Sequence, residues 1–125
     1  MKKEIQEILN KNKVLWTEWI PMDYERMKKI INKEKGKGGG KVERMKILVI
    51  DDNQDFREFL SGLIGFYRAD ADVILAENGV KGLRIFSNNP ASFDVVFTDR
   101  RMPGMLGEEV VREIKKFHHR QGLSS

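Results

Sequence analysis

The 125-residue sequence contains no cysteine. That excludes a disulfide framework and any thiolate metal site. Histidine is scarce as well. The two present, His118 and His119, are adjacent, and neighbours in sequence point in different directions on a helix. A histidine-based metal site is therefore not expected. No apolar run approaches the roughly 18 residues that cross a membrane. The basic N-terminus has no apolar stretch behind it of the kind a secretory signal needs. The expectation is a soluble cytoplasmic protein without a membrane partner.

What is present is charge, unevenly placed. Residues 1–44 hold 12 Lys and Arg against 7 Asp and Glu, a net of +5, whereas residues 45–125 hold 11 against 12, a net of −1. The basic character belongs to the front third. A nucleic-acid contact through that segment is one function such a charge suggests. Its acids are interspersed at helical spacing, however, which favours a solvated helix surface, so nucleic acid is not the expected partner.

The clearest boundary is GKGGGK, Gly36 to Lys41, with four glycines in six residues. It is not a phosphate-binding loop, because Val42 rather than Ser or Thr follows Lys41 and no strand precedes it. It reads as a flexible linker. The chain thus divides into an N-terminal segment at 1–35, a Gly/Lys-rich linker at 36–44 and a main body at 45–125.

The main body alternates regularly. KILVI, Lys46 to Ile50, is a β-branched-rich run of the kind found in buried parallel strands. Phe56, Phe59, Leu60, Leu63, Ile64 and Tyr67 follow at spacings that define one face of a helix, with Asn53 or Asp52 as its N-cap. DVILA, Asp72 to Ala76, is a second strand. Asn78-Gly79 reads as a turn, and Val80, Leu83 and Phe86 form a short helix face ending before Pro90. DVVFT, Asp94 to Thr98, is a third strand. Gly107 opens a third helix with Val110, Val111, Ile114 and Phe117 on its apolar face. Such alternation predicts a doubly wound α/β fold, a parallel sheet with helices on both sides.

In open parallel sheets, sites form at the carboxyl ends of strands where the strand order reverses. Asp51 and Asp52 close the first strand of the main body, and Asp99 closes the third. If those strands are neighbours, three carboxylates converge. Two like charges 4 Å apart repel by roughly 4 kcal/mol at an effective dielectric of 20. A hard dication removes that cost, and an all-oxygen donor set suits Mg²⁺. Taken singly, Asp52 can be only a helix cap and Asp99 only a loop residue. Three such acids, each behind an apolar strand, make the structural explanation the weaker one.

ILVIDDNQDFREFL and FDVVFTDRRMPGMLGEEVVREIKK resemble the receiver domain of two-component response regulators. The acid pair after one strand and D-x-x-M-P-G-M-x-G after another carry the resemblance, which covers residues 45 to about 120. It implies the receiver (flavodoxin-like) sheet order 2-1-3-4-5. It further implies that Asp99 accepts a phosphoryl group from a sensor histidine kinase or phosphotransfer protein. By the same resemblance Asp51 and Asp52 hold Mg²⁺, directly or through water. The backbone carbonyl of Arg101 adds a ligand, and Pro103 and Gly104 shape the loop. The protein is then a regulatory phosphoacceptor in phosphorelay signalling rather than an enzyme, with at most weak self-phosphorylation and self-dephosphorylation. A phosphatase of the haloacid dehalogenase type would instead want D-x-D after the first strand, where this chain has Asp51-Asp52-Asn53.

The receiver is incomplete. A full one has five strand–helix units, and the main body has three. The missing part normally carries a Ser or Thr after the fourth strand and a Lys after the fifth, both touching the phosphoryl group. The N-terminal segment reads as helix (EIQEILNKNK), strand (VLWTEWI) and helix (PMDYERMKKIINKEK). Its strand-Pro-x-Asp-helix pattern is similar to a receiver's fifth strand and last helix, but Ile20 stands where that Lys would be. A permuted or rearranged receiver accounts for this, and so does a truncated one. A receiver fragment or decoy that cannot switch is the alternative function. Without a partner, the strand ending at Thr98 would be an open edge, which invites association. We therefore expect Val14–Ile20 to pair parallel to Asp94–Thr98, to bury Trp16 or Trp19 against the third helix, and to bring Thr17 or Ile20 towards the Asp99 end of the sheet. Thr17 would then partly replace the missing hydroxyl.

Overall fold

The computed structural model describes residues 14–17, 25, 45–89 and 92–120. The linker at 36–44, Trp19, Ile20 and the two N-terminal helices read from the sequence lie outside the described residues, apart from Glu25. The elements run β1 (Val14–Trp16), β2 (Lys46–Ile50), α1 (Gln54–Tyr67), β3 (Asp72–Ala76), α2 (Gly79–Asn88), β4 (Val95–Thr98) and α3 (Gly107–Arg120).

Among the described residues four strands form one parallel sheet in the order β1-β4-β2-β3. The N-terminal strand does pair with the third strand of the main body, Val14 opposite Val96 and Trp16 opposite Thr98. It is shorter than the sequence suggests. Its ladder stops at Trp16, and Thr17 already enters a tight turn. The likeness to a fifth strand also needs correcting. β1 sits directly beside β4, where the order 2-1-3-4-5 puts the fourth strand. A strand-Pro-helix pattern does not encode which neighbour a strand takes. The open edge of β4 decides that.

Side chains alternate across the sheet and build two cores. Ile47, Val49, Val95 and Phe97 pack with Leu60 and Ile64 of α1 on one face. Val14, Trp16, Leu48, Ile50 and Val96 pack with Phe86 of α2 and Val110, Val111 and Ile114 of α3 on the other. Ile47–Ile50 of β2 and Val95–Phe97 of β4 are buried on both sides, which is why these stretches are continuously apolar. The helix faces are narrower than their apolar spacing suggests. Phe59 and Val80 remain 56% and 52% exposed, because only the central part of each stripe meets the sheet.

Asn53 caps α1, its side chain accepting from the Phe56 N–H at 2.9 Å. Asn78 does the same for α2, accepting from Lys81 N–H at 2.8 Å. Asn78-Gly79 is thus a helix start rather than a free-standing turn. At α3 the Glu109 carboxylate reaches back to the Leu106 N–H at 2.9 Å, the acid half of a capping box. Among the described residues no helix is long and apolar enough to cross a membrane.

Candidate functional site

The strand register sets the site. Trp16, Thr98, Ile50 and Ala76 form one row across the sheet. One residue further along, at the carboxyl edge, stand Thr17, Asp99, Asp51 and Glu77. α1 leaves β2 towards one face and α3 leaves β4 towards the other, so the edge between β2 and β4 is the point where the winding reverses.

Asp51 is almost fully buried and is held from several sides. Its N–H donates to the Ala76 carbonyl at 3.1 Å, and its carbonyl accepts from Arg57 Nη1 at 2.8 Å. One carboxylate oxygen, Oδ1, accepts from the Asn53 N–H at 2.9 Å, and the other, Oδ2, from the Thr17 hydroxyl at 2.8 Å. Asp52, one residue on, is exposed. Asp99 is half-buried, and its N–H donates to the Ile50 carbonyl at 2.8 Å, which ties the ends of β2 and β4 together. Asp51, Asp52 and Asp99 each present an oxygen within 4.8 Å of the others. The convergence expected of these three acids is therefore present.

Arg101 approaches Asp99 through its backbone N–H, 3.3 Å from Oδ1, with its side chain exposed. Gly104, at φ 86°, lets the Met102-Pro103-Gly104 bend take a left-handed conformation. Gly107 is needed for another reason. A Cβ there would lie 2.4 Å from the Asp99 carbonyl oxygen and 2.7 Å from the Trp16 ring. The start of α3, the Asp99 loop and β1 consequently close upon one another. Arg100 spans the same junction, its Nε 3.2 Å from Glu108 Oε2 and its guanidinium 5.5 Å from the Trp16 ring centroid.

Sequence reasoning missed one of these residues. Arg57 lies six positions beyond the acid whose carbonyl it binds, and nothing in its spacing marks that contact. Thr17 does stand at the Asp99 end of the sheet, as the sequence suggests, but its hydroxyl donates to Asp51.

The Asp99 carboxyl is pushed up from 3.8 to about 6, chiefly because burial strips its charge of water. The Arg101 N–H opposes the rise, and the Asp51 and Asp52 carboxylates add to it. A raised carboxyl favours the folded state while it is protonated. That contribution is complete below about 3.8 and is lost as pH rises through about 6. Asp99→Asn stays neutral throughout. In a chelating buffer it is expected to melt above the parent protein near pH ~8 and to lose that advantage towards pH ~4. Paired thermal melts across this range check it, and a difference that does not vary with pH would contradict it.

An open parallel sheet with its acids at the winding reversal defines a doubly wound α/β domain whose site lies at the carboxyl edge. Residues 47–122 match the response regulator receiver domain family, and the chain belongs to that family. It is 40% identical over 70 residues to a response regulator receiver protein of Anaeromyxobacter, covering 55% of this chain and 27% of that one. It is 34% identical over 71 residues to a chemotaxis protein CheY homolog of Campylobacter jejuni, covering 57% and 53%. Among solved structures, a response regulator receiver domain protein from Clostridium thermocellum superposes with a TM-score of 0.54 at 42% identity, over 58% of this chain and 56% of that one. The chain spans about half or less of the length of these relatives.

Proposed function

We propose that this protein is a phosphorelay receiver that accepts a phosphoryl group on Asp99 with Mg²⁺ held by the acidic cluster. The observation that carries this reading is the meeting of Asp51, Asp52 and Asp99 at the switch point of a receiver-family sheet. The donor set fits the cation. It is all oxygen, without Cys or His, which is the preference of Mg²⁺. Asp51, Asp52 and Asp99 would hold the ion, with the Arg101 carbonyl as a further ligand. Bound there, Mg²⁺ neutralises the clustered charge and that of the incoming phosphoryl oxygens.

The remaining steps belong to the chain. An ionised Asp99 oxygen attacks the phosphorus of a phosphoimidazole. The new O–P bond forms as the P–N bond breaks, and the imidazole leaves with the electron pair and takes a proton from water. The product is an acyl phosphate. Phosphoryl transfer asks mainly for alignment and charge compensation. Both strand ends supply alignment, because the Asp99 backbone is fixed to β2 and to the start of α3. A carboxyl near 6 is mostly ionised at neutral pH and therefore competent as a nucleophile.

Partners follow from the same chemistry: a sensor histidine kinase or phosphotransfer protein. The likeness to a plant histidine kinase, 39% over 70 residues of Arabidopsis histidine kinase 3, supports this class. The role is regulatory, in the cytoplasm, without turnover of a substrate. Incubating the full chain with phosphoramidate and Mg²⁺ tests the reading. Alkali-labile incorporation that disappears with chelator is expected. Incorporation indifferent to Mg²⁺, or none at all, refutes it.

A further inference from the structure

We propose that Thr17 is a positioning residue of the acidic site: brought in on β1, its hydroxyl fixes the Asp51 carboxylate for the cation. The N-terminal strand thereby sets the affinity of the site for Mg²⁺. This rests on the Mg²⁺ reading above and adds to it a residue outside the matched span 47–122.

The Thr17–Asp51 contact joins two buried side chains, 1% and 4% exposed, across 34 positions of sequence. A carboxylate accepts and does not donate, so the hydroxyl proton points at Asp51 Oδ2. The Asn53 N–H holds Oδ1. Each oxygen thus has one protein donor and keeps further lone-pair capacity, and the carboxylate cannot rotate without breaking one of two hydrogen bonds, the Thr17 bond buried and the Asn53 bond half-buried. A lost donor in such surroundings leaves a buried acceptor unsatisfied.

The hydroxyl is itself held in place. Val14 and Trp16 are fixed by their pairing with Val96 and Thr98. The Trp16 ring is buried among Val110, Val111 and Ile114 of α3 and presses on Gly107. Thr17 follows directly, so a rigid strand sets its place. Side chains that hydrogen-bond a metal-ligating carboxylate orient it, and their loss typically weakens binding by ~10–100-fold.

The test uses the full chain and Mg²⁺ alone. Thr17→Val keeps the shape and removes the donor, and Thr17→Ser keeps the donor. Calorimetric titration should show the Mg²⁺ dissociation constant raised by about tenfold or more in Thr17→Val and restored to within about threefold in Thr17→Ser. A second measurement needs no variant that must fold. The sequence has two threonines, Thr17 and Thr98. Methyl labelling of threonine therefore gives two signals, and that of Thr17 should shift with the same midpoint as the calorimetric titration. If Thr17→Val does not fold, this titration decides. Equal affinities in parent and Thr17→Val, failure of Thr17→Ser to restore binding, or a stationary Thr17 methyl at saturation each overturn the proposal. If the parent binds no Mg²⁺, the reading of the acidic site falls as well, whereas unchanged binding in Thr17→Val removes only the role of Thr17.

Discussion

A chain beginning at Val42 is expected to be aggregated or poorly folded, while the full chain is expected to be a monomer with blue-shifted tryptophan fluorescence. Without β1 the edge of β4 loses its partners at Val96, Phe97 and Thr98. It then presents unpaired backbone groups along an apolar strand, a template for association. The loss extends to the core. Val14 and Trp16 cover Val96, Val110, Val111 and Ile114 on the α3 side of the sheet. Emptying a buried large aromatic position costs about 3–5 kcal/mol, a substantial part of the roughly 5–15 kcal/mol that holds a domain folded. Size-exclusion chromatography with light scattering, alongside circular dichroism, measures both states. A stable monomer starting at Val42, or fully exposed tryptophans in the full chain, would show that the front segment is an appendage.

Mg²⁺ is expected to raise the melting temperature of the full chain, and Asp52→Ala is expected to abolish most of that rise. Three carboxylate oxygens within 4.8 Å of one another repel, by roughly 4 kcal/mol for a full charge pair at 4 Å and an effective dielectric of 20. Solvent access to Asp52 softens this but does not remove it. A ligand that binds only the folded state adds about 2.7 kcal/mol of stability at a hundred times its dissociation constant. Asp52 is the informative residue to remove. It is exposed, so its loss leaves the core intact, whereas Asp51 is buried and holds β2, α1 and β1 together. Thermal melts with and without Mg²⁺ give the comparison. An unchanged Mg²⁺ response in Asp52→Ala would mean that Asp52 takes no part in holding the cation.

Much of this architecture was legible in the residues, for identifiable reasons. ILVI and VVF are apolar at every position because both faces of their strands are covered, and such runs leading to Asp51 and Asp99 place the acids at the carboxyl edge. The pairing of β1 was legible because an open β4 needs a partner and VLWTEWI was the one strand candidate left. Finer placement was not. Whether the Thr17 hydroxyl meets Asp99 or Asp51 depends on where the strand ends and the turn begins, and no pattern of residue types encodes that. The crowding of Gly107 by the Trp16 ring and the Asp99 carbonyl joins residues far apart in the chain. Asn78-Gly79 carries the signal of a turn and of a helix cap alike, and only the following N–H groups distinguish them. Phe59 and Val80 share the helical spacing of their buried neighbours, but the sheet is too narrow to cover them.

The position of the phosphoryl group decides whether Asp99 is the phosphoacceptor. After phosphoramidate and Mg²⁺, hydroxylamine converts an acyl phosphate to a hydroxamate that peptide mass spectrometry can locate. A single modified residue, Asp99, is expected, with no modification in Asp99→Asn. A hydroxamate at another residue, or incorporation that survives Asp99→Asn, would contradict it.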